Sequence, residues 1–237
     1  IRATDRSRGL GDVYKRQGMH VHVSETQSEH EACKKRWGKT PLQILDRYGV
    51  WDTRAIAAHC VWTTEEDWAL MAEKGVSCIH NPVSNLKLGS GVAWIPAMKR
   101  AGVNIALGTD GVSSNNNHDM FEEMKFAAIL HNGVTHDPLA LLPRQVLAMA
   151  SRDGARALGR RTGQIVPGYT ADLILVDFDR PSLTPCHSVE DNLVYSARGS
   201  DVVMNMARGK IIYKDGTFFT LDLSLIHISE PTRPISI

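Results

Sequence analysis

Five side chains in this 237-residue chain have the types and spacing of a hydrolytic metal site: His22, Glu25, His59, His80 and Asp110. The first two lie in "HVHVSET", residues 20–26, where a further histidine, His20, stands two positions before His22. Residues two apart on a strand share a face, so His20 and His22 would point the same way. The segment then has three readings: a two-histidine metal clamp, a single ligand followed by an acid, or two packed strand histidines. Neutral imidazole and carboxylate are the donors that hold a hydrolytic Zn2+ while leaving one position open for water. Such an ion lowers the pKa of its water toward neutrality, and a neighbouring Glu can carry protons between water, substrate and leaving group. Plainer readings stand beside these. A strand histidine such as His80 is often only packed and hydrogen-bonded, and Asp110 in "GTDG" could be a turn residue or a helix cap.

The elements that must position these groups are strands that end in them. GMHVHVSE reads as a first strand, RAIAAHC (54–60) as a second, VSCIHNP as a third broken by Pro82, and VNIALGTD as a fourth ending in Asp110. Helical patterns fill the gaps, over about residues 29–48, 92–101 and 121–131. Another lies in TTEEDWALMAEKG, with Thr63 or Thr64 as N-cap and Gly75 as stop signal. Strands alternating with helices imply βαβ units and a parallel sheet, and short unalternating apolar strands imply cover on both faces. The C-terminal strand ends form the active-site face of a (β/α)8 barrel. A doubly wound sheet also gathers functional groups there, but no G-x-G-x-x-G or G-x-x-x-x-G-K follows the first strand. The expected fold is α/β, with residues 18–160 as part of a (β/α)8 barrel. Beyond it, PRQVLAMASRDGARALG (143–159) reads as one helix with Pro at its start and Gly at its end. A strand at 172–177 and a hairpin around Gly209-Lys210 then make residues 161–222 a small β-rich module.

Composition narrows the classes. A net charge of +1 and 43% hydrophobic residues give no sign of a nucleic-acid or membrane partner. No apolar run approaches the roughly 20 residues of a membrane span. Cys33, Cys60, Cys78 and Cys186 form no C-x-x-C pair, which favours free thiols and a cytoplasmic location. The zinc cytidine-deaminase signature is missing, since Pro185-Cys186 has no second cysteine after it. Residues 1–17 and 223–237 break from the pattern between them. "DVYKRQ" and "SLIHISEPTRP" resemble translated sequencing-adapter DNA, so both ends are expected to be non-native tails.

"HVHVSET", "AAHCVWTTEED", "HNPVSNLKLGSG", "LGTDGVSSNNNHDMFEEMK" and "GYTADLILVD" together resemble the aminohydrolase branch of the amidohydrolase superfamily. Within it, "NPVSNLKLGSG", "TDGVSSNNN" and "NLVYSARGSDV" are most similar to 5-methylthioadenosine/S-adenosylhomocysteine deaminases. The resemblance covers about residues 18–222. It implies the strands 5–8 half of a (β/α)8 barrel, with His22 as the fifth-strand metal ligand and Glu25 as the acid/base that contacts the adenine ring. It further implies His59 as the sixth-strand histidine beside an activated water, and Asp110 as an eighth-strand ligand that also moves a proton. The implied cofactor is one Zn2+, with Fe2+ or Mn2+ as substitutes. The implied reaction is attack of water at C6 of the adenine ring, protonation of the ring by Glu25, and loss of ammonia. The implied partner is a small nucleoside substrate.

The family also carries a first-strand His-x-His. His20-Val21-His22 does not match it, because only two strands separate it from the strand leading to Asp110. With His22 and Asp110 alone from the family's metal set, weak or no zinc binding is expected. His20 is then a neighbour inside the barrel. Alternatives are another amidohydrolase, such as a guanine deaminase or a triazine hydrolase, and a truncated fragment without activity of its own.

Overall fold

The computed structural model describes residues 18–227. Strands β1 (Met19–Val23), β2 (Ala55–His59), β3 (Ser77–His80) and β4 (Asn104–Leu107) form a parallel sheet in sequence order. Parallel pairing demands crossovers, and helices supply them. Helices α1 (Gln27–Trp37) and α2 (Pro41–Arg47) join β1 to β2, and α3 (Glu65–Lys74) joins β2 to β3. Helices α4 (Pro82–Lys87) and α5 (Ile95–Arg100) join β3 to β4. Four more follow: α6 (Val112–Asn115), α7 (Met120–Thr135), α8 (Pro143–Ala150) and α9 (Arg152–Ala157). A second, antiparallel sheet is built from β5 (Leu173–Val176), β6 (Val202–Ala207), β7 (Lys210–Lys214) and β8 (Thr217–Phe218), with α10 (Val189–Tyr195) before β6. The hairpin at 208–209 is the one expected, with Arg208 and Gly209 both left-handed.

Local chemistry explains where the elements break. The helix expected over 29–48 is two helices, because Gly38 adopts φ +67° and ends α1, after which Thr40 caps α2 with Pro41 in its first turn. The helix expected over 143–159 is also two, since Ser151 leaves helical geometry (φ −131°, ψ −89°) and its hydroxyl donates to the Leu147 carbonyl. The α3 prediction holds, with Thr64 in a reciprocal cap with Asp67 and Gly75 left-handed at the end. Pro82 stops β3 and begins α4, which the sequence pattern did not reveal.

Register sorts the sheet's two faces. His20 pairs with Ile56 and His22 with Ala58, while Ala58 pairs with Ile79 and Ile79 with Ala106. Those residues share one face, where Ile56 and Ala106 pack with Ala157 of α9. The opposite face carries Val23, Ala57, Cys78 and Ile105 into the main core with Met71, Met98 and Met149. Small side chains in β2 let the helices approach closely, and the strand is buried at every position. β1 departs from the expected cover on both faces: it alternates between part-buried and exposed until Val23. It is an edge strand among the described residues, and His20 and His22 on it are exposed.

Candidate active site

The site forms where the first two strands end. After β1 the chain turns at Ser24, a buried residue at φ +49°. The Glu29 carboxylate accepts the backbone N–H of both Ser24 (3.1 Å) and Glu25 (2.9 Å), which anchors the turn to the first turn of α1. The Ser24 hydroxyl lies 3.0 Å from His30 Nδ1. Glu25 is thereby turned back toward the strand ends, and one of its oxygens accepts from Ser90 Oγ at 3.2 Å.

At the end of β2, His59 pairs with Val23, and strict alternation would aim its ring into the helix layer. Instead His59 adopts φ +70° and Cys60 φ +51°. The left-handed backbone turns the imidazole to the His22 side. The two rings meet edge to face, 4.9 Å between centroids, and His59 Nε2 lies 3.6 Å from Glu25 Oε2. Backbone bonds from Cys60 to Val23 and from Trp62 to Ser24 tie the two turns together. One donor atom from each of His22, Glu25 and His59 lies within 4.8 Å of the others.

Partners of these groups set their chemistry. His59 Nδ1 lies 2.8 Å from Asn85 Oδ1, an acceptor, and 3.4 Å from Asn81 Nδ2; the shorter contact assigns the proton to Nδ1 and leaves the Nε2 lone pair facing Glu25. An imidazole lone pair and a carboxylate facing each other repel unless a cation or proton lies between them. The donor set therefore suits a divalent metal, with imidazole and carboxylate ligands of the hydrolytic type.

Asp110 lies three residues beyond β4, at φ +61°, outside the group of three. Its Oδ2 accepts from Ser84 Oγ (2.6 Å) and its Oδ1 from the Gly111 N–H (2.7 Å). Partial burial pushes the Asp110 carboxyl upward. The two hydrogen bonds and the nearby His59 and His22 outweigh it, and the net shift is downward. His20 shares the His22 face but is exposed. Partial burial, then His22 and His59, depresses its basicity.

His80 does not reach the site. Register puts Ile79 on the His22 face and His80 on the helix-facing side, fully buried. There its Nε2 lies 3.3 Å from His131 Nε2 on α7. Burial, then His131 and His59, holds His80 well below the ordinary imidazole range, and burial lowers His131 to about 4.

Sequence reasoning from chemistry alone passed over the supporting residues Asn81, Ser84, Asn85 and Ser90. All four are buried. The available signal was the string "HNPVSN": four polar residues in six, directly after an apolar strand, in a position where a helix must pack.

A matching family profile spans residues 13–212, and the chain belongs to the amidohydrolase family. It is 50% identical over 205 residues to a 5'-deoxyadenosine deaminase of Methanosarcina mazei, covering 86% of this chain and 48% of that protein. It is 47% identical over 234 residues to a 5-methylthioadenosine/S-adenosylhomocysteine deaminase of Moorella thermoacetica, covering 98% of this chain and 54% of that protein. Among solved structures it is similar to a zinc-bound adenosine deaminase from Xanthomonas campestris. That match has a TM-score of 0.89 and 39% identity, covering 94% of this chain and 51% of the other. The chain spans about half the length of the curated relatives it matches.

Proposed function

We propose that this chain supplies the strands 5–8 half of a (β/α)8 hydrolase that deaminates the adenine ring of nucleosides altered at the 5′ position, 5′-methylthioadenosine and S-adenosylhomocysteine foremost. On this reading residues 18–160 are barrel and residues 161–222 belong to a β-rich module. The observation that carries it is the convergence of His22, Glu25 and His59 at the carboxyl ends of two adjacent parallel strands, where barrel enzymes place their chemistry. The names of the relatives at 47% and 50% identity supply the substrate class.

The metal, Zn2+ or a similar divalent ion, would sit beside the group formed by His22, Glu25 and His59, with His22 and Asp110 as its ligands and Glu25 and His59 facing its water. The ion would supply a water acidified toward neutral pH. Ser90 holds one Glu25 oxygen and leaves the other facing His59, so Glu25 is placed to pass a proton to the ring nitrogen. Asn85 fixes the His59 tautomer and keeps Nε2 directed at the reacting space. Ser84 and the Gly111 N–H keep Asp110 ionised and able to accept a proton. The exposed His22 and the unpaired edges of β1 and β4 among the described residues favour an isolated chain without turnover of its own.

A chimera tests this reading: the amino-terminal half of the Moorella relative followed by this chain, loaded with Zn2+ and given 5′-methylthioadenosine. Ammonia release is expected, reduced about 10²- to 10⁴-fold by Glu25→Gln, the range for loss of a general acid–base group. A folded chimera that deaminates guanine or hydrolyses triazines, and leaves the adenine nucleosides untouched, contradicts the substrate assignment.

A further inference from the structure

The Asp110 carboxylate is held by two short contacts, from Ser84 Oγ on α4 and from its own neighbour Gly111. Both belong to short segments that need anchoring. The 109–111 turn carries a left-handed non-glycine residue, a conformation that persists only where surroundings over-determine it. Helix α4 has six residues and no side-chain cap.

Behind both segments lies Glu123 on α7, 1% exposed. Its Oε1 accepts from Asn115 Nδ2 at 2.5 Å, and that amide also donates to the Thr109 carbonyl at 2.6 Å. Its Oε2 accepts from the Val83 N–H at 3.4 Å, one residue before Ser84. One buried carboxylate thus joins α7 to the turn that carries Asp110 and to the helix that carries Asp110's hydroxyl partner. Among the described residues it makes no hydrogen bond to His22, Glu25 or His59.

We propose that Glu123 is a positioning residue for Asp110, acting through Asn115–Thr109 on one side and Val83–Ser84 on the other. The inference deepens the metal-site reading and rests on it for Asp110's role. Burial raises Glu123 to about 7 against the hydrogen bonds from Asn115 and Val83, with Glu122 and Asp110 adding to the rise. The fold therefore keeps this group in place against a cost of desolvation.

The test uses the full chain, its Glu123→Gln variant and Glu122→Gln as surface control, with two readouts. Glutamine presents one donor where the carboxylate presents two acceptors, so one of the two contacts must fail. In the metal-free chain, amide hydrogen exchange is expected to accelerate at Gly111, Asn115 and Val83 by about tenfold, with Ala57 and Cys78 in the strands unchanged. Uniform acceleration, or none, overturns the proposal. In Co2+ titrations, Glu123→Gln should weaken binding about 10-fold, in the range for outer-shell partners of metal ligands. The same change in an Asp110→Asn background should have no further effect. An equal loss in both backgrounds means that Glu123 does not act through Asp110, and overturns the proposal. A chain that binds no Co2+ contradicts the metal-site reading, while the exchange pattern still decides the role of Glu123.

Discussion

His59 reaches His22 and Glu25 only because its backbone is left-handed, a conformation costing about 1–3 kcal/mol for a non-glycine residue. Ser24, Cys60 and Asp110 share that conformation, all just beyond strands that end at the site. Sequence pattern could mark His22, Glu25 and His59 as chemistry-bearing, but alternation alone would have aimed His59 into the helices. The reversal is a backbone event with no signature in residue type. His80 shows the converse. It was legible as a histidine at a strand end, yet one step of register carries it to the other face and into contact with His131. The partner that tunes His59 is Asn85, whose Oδ1 accepts a hydrogen bond from Nδ1–H. Asn85→Leu should leave the fold intact while lowering Co2+ affinity about 10- to 100-fold, the usual effect of losing an outer-shell partner. Isothermal titration beside a thermal melt separates the two effects, and unchanged affinity would remove Asn85 from the account.

At the scale of elements, the parallel strands and most helices followed from hydrophobic pattern and punctuation. Thr64, Gly75, Pro143 and the hairpin at 208–209 fall where capping and turn chemistry require. What escaped were the short helices α4, α6 and α10, and the breaks inside helical stretches at Gly38 and Ser151, where a single residue overrides an otherwise continuous pattern. Asp67 shows how one side chain can serve two elements. It closes the cap at Thr64 with its Oδ2 and accepts from Thr40 Oγ1, the cap of α2, at 2.5 Å with its Oδ1. It is completely buried. Asp67→Ala strands the Thr40 hydroxyl and the Thr64 backbone N–H at once and should destabilise the chain by about 2–3 kcal/mol, readable in urea unfolding. A loss below about 0.5 kcal/mol, the range of surface substitutions, would show that the two caps stand without it.

Across the whole molecule, stability should depend on pH through its buried titratable groups. His131 falls from 6.5 to about 4 and His80 shifts the same way, so the unfolded chain takes up their protons first as pH drops below 6.5. Stability from both histidines is therefore lost as pH falls from about 7 toward 4. Glu123 opposes them. Raised from 4.5 to about 7, it is protonated first in the folded state, and it stabilises the fold as pH falls across that window. Two buried histidines, His131 and His80, thus act against the single opposing carboxyl of Glu123. The melting temperature should fall between pH 7 and pH 5, and more steeply in Glu123→Gln, which removes the opposing group. A shallower fall in that variant would contradict the assignment. On the second sheet, Ile174 and Leu175 are each about half exposed. Such faces ordinarily pack against another layer, and the chain spans about half the length of its curated relatives.

The metal site itself is tested most directly by titrating the purified chain with Co2+ and reading its visible absorption, which reports nitrogen and oxygen ligation. Weak binding of at most one ion per chain is expected, abolished in His22→Ala/His59→Ala and unaffected in His80→Gln. Equal Co2+ affinity in the parent chain and the His22→Ala/His59→Ala variant would contradict the site.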